Sequence, residues 1–164
     1  MPASPKLASF PAIRGALKFY QIASLITGTM LLLLVAEMVV KYAFAHELFL
    51  GGSGGFLWFA PVIEGPNGTE STGDGLNVSM SILVAHGWFY VVYLFACFRV
   101  WSLMRWKLMR FLLLALGGIV PLLSFFMEVR VAREVKHYLE ERERAASAAQ
   151  RPPLTDAIPT ENTR

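Results

Sequence analysis

Residues 19–36, 76–98 and 111–127 are apolar stretches free of Asp, Glu, Lys and Arg. The hydrocarbon of a bilayer is about 30 Å thick and a helix rises about 1.5 Å per residue, so about 20 residues reach across it. The first stretch is long enough once it continues past Glu37 to Val40, and the second is long enough as it stands. The third is slightly short, but Arg110 and Glu128 flank it and can extend toward head groups. The pattern predicts an all-α membrane protein with three transmembrane helices, spanning residues 19–42, 78–100 and 107–128. The third continues into a charged C-terminal helix.

The intervening segments complete this outline. Residues 1–12, with Pro2, Pro5 and Pro11, read as a flexible leader to a membrane domain over 13–149. Residues 46–77 read as a Gly-rich acidic loop, carrying Glu47, Glu64, Glu70 and Asp74 and no Lys or Arg. Within it, Phe56, Leu57, Trp58 and Phe59 form a patch too short to span, expected to dip into the membrane interface. Pro121 removes a backbone donor and predicts a kink in the third helix. Residues 129–149 read as a polar tail helix, and 150–164, with Pro152, Pro153 and Pro159, as a disordered tail.

The start of the chain also resembles a secretory leader, with Lys6, Arg14 and Lys18 ahead of an apolar run and an Ala43-Phe44-Ala45 site. The run is longer than the roughly 7–15 residues of a signal core, and Glu37 and Lys41 precede the site. An uncleaved span is the better reading.

Lys and Arg counts orient the spans. The leader carries Lys6, Arg14 and Lys18, and the turn after the second span carries Arg99, Arg105, Lys107 and Arg110. Arg14, Lys18, Arg99, Arg105 and Lys107 are therefore expected as cytoplasmic anchors of a multi-pass plasma-membrane protein. With three spans, the N-terminus is cytoplasmic, and the base-free loop and the C-terminus are outside. The tail disagrees, because Arg130, Arg133, Lys136, Arg142 and Arg144 would then lie outside.

Glu37, Lys41, His86 and Glu128 interrupt the apolar pattern. Three alternating spans place all four in the outer half of the membrane, with Glu37 near the depth of His86 and Lys41 near that of Glu128. An unpaired charge at span centre costs about 3 kcal/mol on the insertion scale. The cluster therefore reads as an interhelical clamp, with a proton relay or substrate path as the alternative. One imidazole without partner ligands makes a poor metal or haem site, so neither metal nor cofactor is expected. Gly28, Gly87, Gly117 and Gly118 are expected to permit close helix packing. Trp88, Tyr90, Tyr93 and Trp101 read as packing and interface anchors.

Composition supports membrane residence: 55% of residues are hydrophobic and mean hydropathy is +0.48. The net charge of +3 comes from bases clustered at span ends. These suit a lipid bilayer and not nucleic acid, since no soluble basic face carries interleaved aromatics. The lone Cys97 excludes an intramolecular disulfide. Val131, Val135 and Tyr138 form a short stripe on the tail helix, read as part of a solvated continuation ahead of a partner-docking face. Two glycosylation sequons, at Asn67 and Asn77, fall in the loop and matter only in a glycosylating cell.

Residues 28–42 ending in Lys41-Tyr42, then Ala85-His86-Gly87-Trp88, then residues 121–130 from Pro121 through Glu128 to Arg130, occur in a telling order and spacing. They resemble a family of small bacterial integral membrane proteins, a domain of unknown function common in actinobacteria and found in other Gram-positives. The resemblance covers residues 14–136. It implies three spans, with Lys-Tyr ending the first, His-Gly inside the second and Pro followed by an acid closing the third. It implies no activity. Glu37, the long Gly-rich loop and the extended tail depart from the pattern, which weakens a Glu37–His86 relay as a general mechanism.

No nucleophile–base set, metal cluster or phosphate loop is present in the sequence. The expectation is a non-enzymatic structural or accessory subunit beside a larger envelope or respiratory complex, with a protein partner or a homo-oligomer in the membrane. The alternative is a small oligomeric transporter or proton-coupled unit.

Overall fold

The computed structural model describes residues 5–66 and 68–150. Residues 1–4 of the leader and residues 151–164 of the tail, expected to be disordered, lie outside the described residues.

After a 3-10 turn at Leu7–Ser9, helix α1 runs over Phe10–Phe44 and is 35 residues long. It starts inside the expected leader because Pro11 falls in its first turn, where a missing N–H costs nothing. Phe10 and Ile13 are buried there. Helix α2, Val78–Met104, returns antiparallel to α1. Its N-cap is Asn77, whose side chain accepts the Met80 N–H at 2.9 Å. Both helices are long and apolar enough to cross a bilayer. In their most apolar windows only 28% and 17% of residues are buried, whereas a core helix of a soluble protein would be mostly covered.

The third apolar stretch does not form a third span. Helix α3 covers only Leu108–Gly117, and helix α4 begins at Leu123 and runs to Ala149. Ten residues reach about 15 Å, half the hydrocarbon thickness. Between them the chain reverses, with Leu122 in the left-handed region at φ 67°. Arg110 near the start of α3 pairs with Glu134 of α4, and Gly117 at its end abuts Ser124. The two helices therefore form an antiparallel hairpin. Its tip reaches Ser24 and Gly28 of α1, and α4 then follows α1 back, ending with Arg14–Glu143 at 2.8 Å. The expected kink at Pro121 is a full reversal. The C-terminal helix comes to the N-terminal end of the bundle, where a continuous third span would have carried it to the opposite end.

The segment 46–77 is not an irregular loop, so the fold is not all-α. Strands β1 (His46–Leu50), β2 (Leu57–Gly65), β3 (Gly68–Ser71) and β4 (Leu76–Asn77) form a sheet in the order β3-β2-β1-β4. The pairings are antiparallel, with Phe49 opposite Trp58 and Ile63 opposite Glu70. The β1–β2 connection takes Gly51, Gly52 and Gly55 through positive φ, which needs glycine. Leu57, Trp58 and Phe59 lie on β2; Trp58 packs on Phe49 and donates its indole N–H to the Gly51 carbonyl at 2.8 Å. This sheet caps the end of α1 and α2 opposite the hairpin's base.

The core sits in the hairpin half, where Ile13, Tyr20, Tyr93, Cys97, Val100, Leu114 and Val135 are fully buried. No residue of α1 beyond Leu31, and none of α2 before Tyr93, is buried. Next to the cap the protein is a two-helix ribbon.

The returning hairpin makes a labelling prediction. With Cys97 replaced, Ser147→Cys is expected to label with an impermeant thiol reagent from the same membrane face as Ala8→Cys, and Ser71→Cys from the opposite face. Shared labelling of positions 147 and 71 would contradict the reversal.

Candidate functional site

The four polar residues singled out by sequence do not form one cluster. Thr27 Oγ1 donates to the Phe89 carbonyl at 3.3 Å, and Ser79 Oγ donates to Glu37 Oε2 at 3.1 Å. This register places His86 level with Met30, about 10 Å below Glu37 at 1.5 Å per residue. The two are not at one depth, and no Glu37–His86 contact forms among the described residues. His86 instead stacks on Tyr90, with ring centroids 6.3 Å apart, and its buried Nδ1 has no hydrogen-bond partner.

Lys41 and Glu128 are not partners either. Lys41 Nζ lies 2.5 Å from Glu47 Oε1 on β1, a residue whose side chain is only 4% exposed. Glu47 also accepts from Asn77 Nδ2 at 3.0 Å, so one carboxylate ties together the end of α1, the cap and the start of α2. Burial works against its ionisation, but the Lys41 ammonium and the hydrogen bonds from Ser71 and Asn77 outweigh it and hold its pKa below the usual carboxylate range. Nearby, the Ser53 N–H and hydroxyl donate to Asp74 and likewise lower its pKa, pinning the β1–β2 turn to the segment before β4. Glu128 is at the other level, where Gln21 Nε2 donates to it at 2.6 Å. The expected pairing fails because α4 descends from mid-bundle, whereas a continuous third span would have lifted Glu128 to the level of Lys41.

Of the polar groups that do meet in the interior, the serines were not singled out by sequence, and Tyr90 and Tyr93 were read only as packing and interface anchors. Ser24 and Ser124 bond reciprocally: each hydroxyl donates to the other's carbonyl, at 3.2 and 3.0 Å, and the two hydroxyls lie 2.8 Å apart. Tyr93 donates to the Leu114 carbonyl at 2.6 Å and Tyr90 to the Ala115 carbonyl at 3.3 Å. Serine, threonine and tyrosine at single positions leave no sequence signature that separates such a bond from ordinary packing.

The expected packing glycines divide. A Cβ on Gly28 would lie 3.1 Å from the Phe125 ring, and on Gly117 or Gly118 it would strike Tyr93 or Tyr90 at 2.8 or 2.6 Å. Gly87 faces open space, so within this chain it permits no contact. Pro121 is exposed at the hairpin tip. The anchors Arg14, Lys18, Arg99, Arg105 and Lys107 gather at one end of the bundle, since α1 starts and α2 stops there. The described residues contain no group of three or more His, Cys, Asp or Glu placed to hold a metal ion. The Asn67 sequon lies outside the described residues, and Asn77 is engaged by Met80 and Glu47.

Three expected outcomes test this geometry by thermal unfolding in detergent. Lys41→Met strands a buried carboxylate and should cost about 1–3 kcal/mol, less than a fully dry pair because the Lys41 side chain keeps some solvent. Glu47→Gln should cost less, since Lys41 can reach water, and the double variant should recover part of the Lys41→Met loss; additive effects would deny the pairing. Because folding lowers the Glu47 pKa, its contribution is present above the unfolded carboxylate value near about 4.3 and is lost as pH falls through the folded value. Acid should therefore destabilise the wild type through this group, and Glu47→Gln should remove that component. Gly28→Val should cost about 1–3 kcal/mol by overpacking against Phe125, whereas Gly87→Ala should be neutral or slightly stabilising. Equal costs at the two glycines would contradict the packing described.

The uncharacterized protein ML1176 of Mycobacterium leprae (strain TN) is 28% identical over 127 residues, covering 77% of this chain and 81% of that protein. No solved structure matches. A domain of unknown function, DUF3817, matches residues 17–133, from α1 through the hairpin into α4, and the chain belongs to that family.

Proposed function

We propose that the chain is a small, non-enzymatic integral membrane protein that serves as an accessory subunit of a larger envelope or respiratory membrane complex. The observation that carries this reading is the unequal thickness of the bundle. Four helices pack around Tyr20 and Tyr93, but only α1 and α2 continue to the cap. The ribbon so formed exposes Leu33, Met38, Val39, Leu83, Val84 and Trp88. The hairpin tip ends beneath it, leaving a step where a further helix can seat. Open space beside Gly87 lies at that step, where a partner helix can approach closely, and the adjacent His86 Nδ1 is buried without a hydrogen-bond partner of its own. The acids at other depths are engaged by this chain's own helices, Glu37 by Ser79 and Glu128 by Gln21, which favours assembly over chemistry; the buried Tyr20 and Tyr138 hydroxyls, like His86 Nδ1, lack a partner.

Charge supports an orientation. The leader, the α2–α3 turn and α4 bring their bases to one end, and the cap has no Lys or Arg. By the positive-inside tendency the start of α1 and the end of α4 lie on the cytoplasmic side and the cap lies outside the plasma membrane.

A second reading, a proton-coupled or transport unit, draws on the same unpartnered imidazole. Co-purification of the tagged full chain from native membranes in mild detergent separates the two. A stoichiometric larger partner, lost on Gly87→Leu, is the expected result. A discrete homo-oligomer, with a cellular phenotype abolished by His86→Leu and no larger partner, would favour transport and defeat the accessory reading.

A further inference from the structure

A cavity of about 1010 Å³ opens at the hairpin's base, between the α2–α3 turn and α4. Arg105, Lys107, Arg110, Arg130 and Arg133 line it, against the two carboxylates of Glu134 and Glu141. Glu134 is paired with Arg110, and Glu141 lies 3.5 Å from the His137 imidazole, a contact that is an ion pair only when that ring is protonated. Arg105, Lys107, Arg130 and Arg133 thus face the cavity without a carboxylate partner among the described residues. Four cations drawn from two separate segments repel one another, and an anion between them relieves that repulsion.

A second feature says what kind of anion. From this basic mouth a narrower cleft of about 340 Å³ runs up the seam between α3 and α4. Trp106, Arg110, Arg130 and Glu134 line both spaces, so the two are adjacent, with the Arg110–Glu134 pair at their shared wall. Higher in the cleft the lining turns apolar, with Leu113, Leu114, Met127 and Val131. At the junction the Arg110 guanidinium sits 4.9 Å from the centre of the Trp106 ring, an interface pairing that holds a cation above an apolar wall. Four bases at the mouth and a greasy slot behind them match the two ends of one molecule.

We propose that this groove binds an anionic phospholipid, its phosphodiester among Arg105, Lys107, Arg130 and Arg133 and an acyl chain in the α3–α4 cleft. The proposal rests on the membrane reading and adds a specific ligand to it. Such a lipid would tie α3 to α4 at the open base of the hairpin, beside the contacts that Phe111 of α3 makes with Phe98 and Trp101 of α2. A free phosphate shares the head-group chemistry but has nothing to place in the cleft.

The test uses the full chain in mild detergent and native mass spectrometry, with dioleoyl phosphatidylglycerol and dioleoyl phosphatidylcholine in equal amounts. The phosphatidylglycerol adduct should exceed the phosphatidylcholine adduct by roughly tenfold or more. Arg130→Gln/Arg133→Gln, both exposed and therefore tolerant of change, should bring the two adducts near parity. Leu113→Trp, which fills the cleft from an exposed position, should lower phosphatidylglycerol retention with the bases intact. Lys18→Gln/Arg99→Gln, bases at the same end but outside the groove, should leave the preference unchanged. An equal loss in that control would reduce the effect to diffuse surface charge and overturn the site. Displacement of the lipid by excess inorganic phosphate would make it a phosphate site and overturn the lipid proposal. Failure of the membrane reading is a separate result: release of the protein from membranes by alkaline carbonate, against loss of lipid preference in a protein that stays inserted.

Discussion

Everything distinctive in this fold depends on how α3 is allowed to stop in the middle of the bundle. The last carbonyls of a helix have no partners of their own, and in an apolar interior each would cost several kcal/mol. Here Tyr93 and Tyr90 of α2 donate to Leu114 and Ala115, while the Gly118 N–H bonds Ala115 and the Ile119 and Val120 N–H groups bond Leu116. Tyrosines reach those oxygens only because Gly117 and Gly118 present no Cβ in their path. On the other strand of the reversal, the Ser24–Ser124 exchange fixes the start of α4 against α1. Two glycines, two tyrosines and two serines thus convert what would be a span into a hairpin.

The reversal has an electrostatic consequence. A continuous third helix would separate the basic tail from the basic leader and turn by the whole membrane. Folding α4 back brings Arg130, Arg133 and Lys136 to the end that holds Arg14, Lys18 and Arg105. It also supplies the acids that temper that end, with Glu143 reaching Arg14 and Glu134 reaching Arg110. Exposed pairs like these contribute little stability, so their role is to set which faces meet. Of the bases left over, Arg105, Lys107, Arg130 and Arg133 line the groove.

The two long helices were legible because an uncharged apolar run has one physical solution, and the glycines at 28, 117 and 118 because small residues in such runs mark close approach. The hairpin was half legible. Gly117-Gly118 with Pro121 announced a defect, and the basic tail contradicted an outward C-terminus, yet the spacing alone did not distinguish a kink from a reversal. That choice is made by Tyr90 and Tyr93, about three to four turns into another helix. The cap was hidden for a different reason. Strand β1 alternates in burial, but one of its inward residues is Glu47, so the period-2 apolar pattern is broken by the acid that organises the cap. In β2, Pro61 argues against a strand, and it is tolerated because it pairs at the end of β1, opposite His46.

Glu47 and the hairpin tip act at opposite ends of the same two helices. The carboxylate gathers Lys41, Ser71 and Asn77 and so fixes how α1 and α2 part as they leave the ribbon. The tip fixes how they meet around Tyr20 and Tyr93. Between these clamps, from about Leu31 on α1 and down to about His86 on α2, only Glu37–Ser79 joins the helices by side chains. That stretch has the least internal support and the largest apolar exposure. The ribbon therefore stands as a step, with the Ser24–Ser124 contact at the hairpin tip as its floor and the sheet pinned by Glu47 as its cap.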